Sequence, residues 1–346
     1  MKKLASPIAY VVLMSALIVL CSQDASAQCA APFKVEWPSA APVWSLCWIP
    51  PNQSSGIDGS GLELRHVFYK GKRVFWRANM PVLDVLYDQP SGFCGPTYRD
   101  WLNEVQAFDA NNVVSPGYAE PTITPKTVCD APGADVGSFA GVAVERLADR
   151  LVLTTQTRAG WYRYIQKITF YADGRIQPYF GFTAVEHTCI HRAHMHYGYW
   201  RFDFDIDGAG GDIVDERRKF LWLFPYWSTL SSEQARLRAA SGFRHWRVRD
   251  AQTGRGVEVI PGPSDAVGGD AFGGSDVWAL RYHSNETDDG GATGGPSGDA
   301  QHIDAFLNNE NINQKDVVLW YRIGHRHESG PTCQLAGPTL KLTGNW

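Results

Sequence analysis

The chain has 346 residues, a formal net charge of −4, 12% aromatic residues and 34 glycines. That mild acidity argues against nucleic acid as a partner and gives only weak attraction for small cations. At this length, an aromatic and glycine-rich composition suits one large all-β domain with many turns better than two small domains.

Lys2 and Lys3, the apolar run from Ile8 to Leu20 and the small residues Ala25-Ser26-Ala27 ahead of Gln28 read as a secretory signal peptide over residues 1–27. Cleavage after Ala27 predicts a secreted or periplasmic protein. The apolar run is too short for a membrane span, and no later stretch is long and apolar enough to be one. Six cysteines follow: Cys29, Cys47, Cys94, Cys129, Cys189 and Cys333. An even number in an exported chain, with no C-x-x-C pair, predicts disulfides rather than metal thiolates. The expected pairs are Cys29–Cys47, Cys94–Cys129 and Cys189–Cys333, the last joining the ends of two strands discussed below across the longest loop.

Residues 28–60, rich in Pro, Ser and Trp, form a lead-in pinned by cysteines, and 61–346 form a single β-sandwich domain. From Gly61 the alternation GLELRHVFYKGKRVFWRANMPVLDVLY predicts a hairpin turning at Gly71-Lys72. Strands are expected over 139–157, 161–171 and 174–187, with a turn at Asp173-Gly174, and then over 194–206 and near 217–224. Ser231-x-x-Gln234 is a capping box ahead of Ala235-Arg-Leu-Arg-Ala239, which predicts one short helix. The alternating basic residues of Phe243-Arg-His-Trp-Arg-Val-Arg249 predict a solvated outer sheet face. The tract 284–300, SNETDDGGATGGPSGDA, predicts a loop.

Two segments carry chemistry. In HMHYGYWRFDFDIDG, residues 194–208, the even positions His194, His196, Gly198, Trp200, Phe202, Phe204 and Ile206 make a mostly apolar face ending in two imidazoles. The odd positions end in Asp203, Asp205 and Asp207. In residues 316–327, Val317, Leu319, Tyr321, Ile323, His325 and His327 form the apolar face, with Asp316 on the other side. Two distant strands with the same split, imidazoles inward and carboxylates outward, predict a copper or zinc site inside the sheet and a hard-cation site outside it.

At these residues the chain resembles the C-terminal catalytic domain of the copper amine oxidases. The family motif H-Q-H-x-F-x-x-R-x-D-x-x-x-D-G is matched without a gap by His194, His196, Arg201, Asp203, Asp207 and Gly208. Its later strand, ED-[IV]-V-x-W-x-x-x-G-x-x-H, is matched by Asp316, Val318, Trp320, Gly324 and His327. The resemblance implies a large antiparallel sandwich with copper on His194, His196 and His327, His327 being preferred to His325. It also implies a calcium-like site at Asp203, Asp205 and Asp316, a homodimer, and the absence of the smaller N-terminal domains of relatives.

The family's redox cofactor, topaquinone, is made by copper and dioxygen from the tyrosine of T-x-x-N-Y-[DE], and Tyr162 falls on that position. Trp161 replaces the asparagine, Arg163 the acid and Arg158 the threonine. Quinone formation needs a phenol close to copper with freedom to turn, and these departures bear on that step. By resemblance Asp109, in Phe108-Asp109-Ala110, matches the carboxylate base, with Asp100 as an alternative. Tyr87 matches the tyrosine that hydrogen-bonds the quinone oxygen. The implied activity is oxidation of a small primary amine by dioxygen to an aldehyde, with ammonia and hydrogen peroxide released. The alternative is an exported copper-binding protein on the same scaffold that never forms the quinone.

Overall fold

The computed structural model describes Cys29 and residues 33–55, 60–89, 91–92, 94–95, 97–99, 106–107, 118–119, 125–134, 141–220, 224–265, 268, 273–287 and 303–346. The signal segment, Asp100, Asp109 and most of the 284–300 tract lie outside the described residues. Strands account for 55% of the structure, no helix among the described residues reaches seven residues, and two large antiparallel sheets remain unclosed. The all-β sandwich expected from composition and alternation is therefore the observed fold.

In chain order the strands are β1 Lys34–Trp37, β2 Trp44–Ile49, β3 Glu63–Tyr69, β4 Lys72–Tyr87, β5 Thr97–Arg99, β6 Gln106–Ala107, β7 Tyr118–Ala119, β8 Val142–Arg146, β9 Arg150–Ala159, β10 Tyr162–Tyr171 and β11 Ile176–Ala184. They continue with β12 His194–Phe204, β13 Asp212–Phe220, β14 Phe224–Thr229, β15 Gln234–Arg236, β16 Trp246–Asp250, β17 Gly256–Ile260, β18 Val277–Arg281, β19 Val317–His327, β20 Gln334–Ala336 and β21 Thr339–Thr343. One sheet runs β1-β2-β3-β4-β12-β19-β18-β15, with β5 on β4. The other runs β14-β13-β16-β17-β21-β11-β10-β9-β8-β7, with β20 on β11 and β6 on β9.

The core lies between the sheets, where Trp200, Phe202 and Phe204 of β12 meet Phe75, Tyr164, Phe180, Phe182 and Val214. Full burial of each such side chain is worth roughly 1.5–3 kcal/mol. The opposite face of β12 is also covered, because Tyr197 and Tyr199 pack with Val82, Trp278, Val318 and Trp320 in a second cluster. Strand β12 is thus buried on both faces at the centre of its sheet, and its polar side chains lie in fixed surroundings.

The structure corrects several local expectations. The first hairpin turns at Lys70-Gly71, one residue early, with φ of 47° and 74°. These positive values are what a two-residue turn between twisted strands requires. The segment expected as one strand over 139–157 is the hairpin of β8 and β9, and the segment near 217–224 straddles β13 and β14. No helix follows Ser231: β15 occupies its start, with Gln234 opposite Ala279 and Arg236 opposite Val277 on β18. A five-residue run cannot repay helix nucleation, and pairing at a sheet edge prevails. The alternation of β16 is as expected, with Trp246, Val248 and Asp250 buried and Arg247 and Arg249 turned outward onto Asp215.

Cys29–Cys47 forms as expected, whereas the other two pairs are Cys94–Cys189 and Cys129–Cys333, each with Cα atoms 5.3 Å apart. Cys189 packs beneath Val85 and Tyr87 at the end of β4, where Cys94 returns. Cys333 is carried to Cys129 because β20 pairs with β11 and Pro331 rests on Gly133. These contacts join segments that the sequence alone does not place together. No helix among the described residues is long and apolar enough to cross a membrane.

Gly181 on β11 allows the close approach of β20, since a Cβ there would lie 2.0 Å from the Gln334 carbonyl oxygen. Gly181→Ala should therefore destabilise the fold by about 1–3 kcal/mol, read as a lowered denaturant midpoint. An unchanged midpoint would contradict the packing described.

Candidate metal centre

Strands β12 and β19 pair in one register, with His194 opposite His327 and His196 opposite His325. On its other side β12 pairs with β4, so that Tyr87 lies opposite His194. The facing sheet contributes β10, which starts at Tyr162 directly after a tight turn at Gly160-Trp161. Four strands therefore deliver side chains to one point between the sheets.

His194, His196 and His327 meet there, each at most 1% exposed. One nitrogen from each lies within 4.8 Å of the others. His194 Nε2 is 2.9 Å from both His196 Nε2 and His327 Nδ1. His325, on the same face of β19, turns instead to the Phe180 carbonyl at 2.9 Å.

The outward nitrogens fix the protons. His194 Nδ1 donates to the Arg192 carbonyl at 2.6 Å, and His327 Nε2 donates to the Gly330 carbonyl at 2.5 Å. A carbonyl only accepts, so in the neutral rings the inward nitrogens, His194 Nε2 and His327 Nδ1, carry bare lone pairs. His196 Nδ1 meets the Tyr164 hydroxyl at 2.9 Å, which leaves its Nε2 facing the same point.

Burial lowers all three pKa values, to about 4 for His194 and well below the ordinary value for His196. The neighbouring imidazoles push His194 and His196 further down, whereas the Arg192 and Gly330 carbonyls act in the opposite direction on His194 and His327. The rings are neutral at pH 7, and lone pairs held 2.9 Å apart without a proton repel unless a cation lies between them. Three neutral nitrogens of this kind, each oriented by an outer partner, fit a first-row transition metal such as copper.

One 3-10 turn, Thr188–His191, organises two of those outer partners. Arg192, which follows it, donates its N–H to the Cys189 carbonyl, and Gly330 donates its own to the Ile190 carbonyl. The Cys94–Cys189 disulfide holds this turn against the end of β4.

Tyr162 is 3% exposed. Its hydroxyl is 2.9 Å from His194 Nε2 and 2.7 Å from the Tyr87 hydroxyl, and its ring meets His196 edge-on at 4.5 Å. Trp161 stacks on His187, with centroids 3.8 Å apart and planes 5° apart. Arg163 folds back so that its guanidinium donates to the Gly160 and Tyr162 carbonyls, both at 2.9 Å. A cleft of about 470 Å³, lined by Asp88, Gln89, Thr188, His191, Arg192 and Ala193, opens over the adjoining ends of β4 and β12. Tyr164 did not emerge from the sequence, although its i+2 spacing from Tyr162 on an alternating strand was a usable signal.

The carboxylates Asp203, Asp205 and Asp316 gather at the other end of the β12–β19 ladder, within 4.8 Å of one another. Arg201 reaches Asp203 at 3.3 Å and Arg73 reaches Asp205 at 3.0 Å. Asp212, fully buried, lies near them. Burial pushes Asp212 up to about 9 and Asp316 to about 7, in both cases reinforced by neighbouring carboxylates. Burial likewise raises Asp203 to about 6, although Arg201 opposes the shift.

No protein-family model matches the chain, and no curated protein matches it in sequence. Solved structures do. A copper-containing benzylamine oxidase from Hansenula polymorpha superposes with a TM-score of 0.65 at 14% identity, covering 90% of this chain and 60% of that one. An amine oxidase from Aspergillus nidulans gives 0.60 at 17% identity, and a lysyl oxidase from Pichia pastoris gives 0.59 at 14%; each covers 87% of this chain and about half of its own. The fold is that of the copper amine oxidases. The chain spans between half and 60% of the length of these oxidases, a share consistent with their C-terminal catalytic domain.

The carboxylate cluster gives the metal-free protein a definite pH dependence. Between pH 4 and pH 9, folded Asp212 keeps a proton that the unfolded chain has released, and Asp316 and Asp203 do so over narrower ranges. Stability in chelator should therefore fall as pH rises from 7 to 9, where the buried histidines are neutral in both the folded and the unfolded chain, by up to about 1.4 kcal/mol per pH unit for each retained proton. Melting temperatures at pH 7, 8 and 9 in chelator test this, and a flat or rising series contradicts it.

Proposed function

We propose that the chain is a copper-dependent primary-amine oxidase, with His194, His196 and His327 as the copper ligands. The observation that carries this reading is the Tyr162 hydroxyl, 2.9 Å from the inward nitrogen of His194 at the convergence of three buried imidazoles. Copper on those nitrogens, with a topaquinone made from Tyr162, would supply the two-electron chemistry that turns an amine, dioxygen and water into aldehyde, ammonia and hydrogen peroxide. Tyr87 holds the Tyr162 oxygen at 2.7 Å and orients it. The Arg192 and Gly330 carbonyls keep two of the rings in the tautomer that copper requires, and the Tyr164 hydroxyl, which can donate or accept, holds the third in place. The role of general base stays with Asp109, by the family resemblance, with Asp100 as the alternative.

The Asp203, Asp205 and Asp316 cluster is assigned to calcium, a hard cation matched to oxygen donors. The small amine and dioxygen are the proposed reactants, and a homodimer is the proposed assembly. Three disulfides accord with export to an oxidising compartment.

A second reading is a copper-binding protein on this fold that leaves Tyr162 unmodified. The hydroxyl contacts of Tyr162 on two sides, with Trp161 and Arg163 flanking it, favour this reading, because they restrain the turning that quinone formation needs.

Copper loading of the mature chain in air separates the two. The oxidase reading expects a quinone absorbance that shifts with phenylhydrazine, together with a modified Tyr162 peptide; an unmodified tyrosine mass after copper and oxygen removes it. His194→Ala with His196→Ala should abolish stoichiometric copper uptake, and undiminished binding would refute the ligand set. Tyr164→Phe should weaken copper by roughly 10–100-fold in chelator competition while leaving the metal-free melting temperature close to that of the parent.

A further inference from the structure

We propose that Asp212 is a fourth carboxylate ligand of the cation site at Asp203, Asp205 and Asp316, so that one divalent ion joins the two sheets of the sandwich. This rests on the reading of that cluster as a calcium site and adds a residue that the family motif does not contain.

Asp212 opens β13 in the sheet opposite the one carrying β12 and β19. An isolated antiparallel bridge sets it beside Lys315, the residue before Asp316. Its side chain is fully buried, and neither carboxylate oxygen has a hydrogen-bond partner among the described residues. The carboxylates that act on it electrostatically are Asp205, Asp316, Asp250 and Asp203. Asp250 is already committed: its Oδ1 accepts from Gln252 and from the backbone and hydroxyl of Thr253. Asp316 Oδ1 is a further buried oxygen without a partner. A buried carboxyl group with no hydrogen-bond partner is costly to a fold whether it keeps its proton or releases it, and a shared cation resolves it.

The sequence between the ligands fits this role. Residues 203–208, D-F-D-I-D-G, follow the D-x-D-x-D-G opening of a calcium-binding loop. The third aspartate of that pattern is diverted here, because Asp207 pairs with Arg255 and accepts from Thr253. The chain then turns back through Gly208, Gly210 and Gly211, with φ of 145°, 90° and 107°. A Cβ on Gly208 or Gly210 would meet nothing within 4 Å, so glycine serves the backbone conformation there rather than space. That return brings Asp212 to the bridge with Lys315, next to Asp316 in the chain. An all-oxygen donor set selects calcium over copper.

The test is calcium titration of the chelator-treated full-length mature protein, followed by calorimetry and by the rise in melting temperature. The parent should bind calcium and gain melting temperature. Asp212→Asn should lose one equivalent, or at least tenfold in affinity at that site, while its metal-free melting temperature equals or exceeds that of the parent. Asp203→Asn serves as the reference. If Asp203→Asn loses the ion and Asp212→Asn binds it as the parent does, the cation site stands and the fourth ligand is overturned. A parent that takes up no calcium overturns both. Copper stoichiometry, measured in the same variants, should not change.

Discussion

The antiparallel pairing of β12 with β19 is the constraint on which the other features rest. Its register sets His194 against His327 at one end and Asp203 and Phe204 against Val318 and Val317 at the other. At about 3.3 Å per residue, the imidazole and carboxylate ends stand roughly 30 Å apart on a single ladder. A slip of one residue would exchange the faces, moving the rings out of the core and the carboxylates into it. Burial on both sides of β12 makes such a slip prohibitive, so the packing of Trp200, Phe202, Tyr197 and Tyr199 also specifies where the polar groups end up.

The imidazole end owes its chemistry to the main chain. Two carbonyl oxygens, at Arg192 and Gly330, decide which nitrogen of two rings carries a proton. No side chain at either position could be read for this purpose, since the function belongs to the peptide group. Burial then keeps the rings neutral, and neutrality makes three nitrogens at close range a set of donors rather than a cluster of repelling charges.

Where strands alternate cleanly, the sequence was legible. The two faces of β12 and β19, the hairpin turn at Gly174 and the outward arginines of β16 follow directly from a period of two. The family motif also singled out Tyr162 and Tyr87, which the structure brings to His194. Long-range decisions were not legible. The capping pattern at Ser231 was locally sound, but the vacant edge of β18 claimed Gln234–Arg236 as a strand. Cys94 and Cys129 are near in sequence, yet their partners were chosen by the docking of Cys189 under Tyr87 and by the attachment of β20 to β11. Asp212 went unnoticed because its significance depends on a bridge to Lys315, just ahead of β19 and distant in sequence.

The Thr188–His191 turn gathers several roles into four residues. It holds one half of a disulfide, anchors the residue whose carbonyl orients His194, and receives through Ile190 the backbone amide of Gly330, whose carbonyl orients His327. Thiol oxidation and imidazole orientation are thereby mechanically linked across less than one length of strand. A chain still carrying Cys94 and Cys189 as thiols would hold the Arg192 and Gly330 carbonyls, and with them the inward nitrogens of His194 and His327, on a looser hinge.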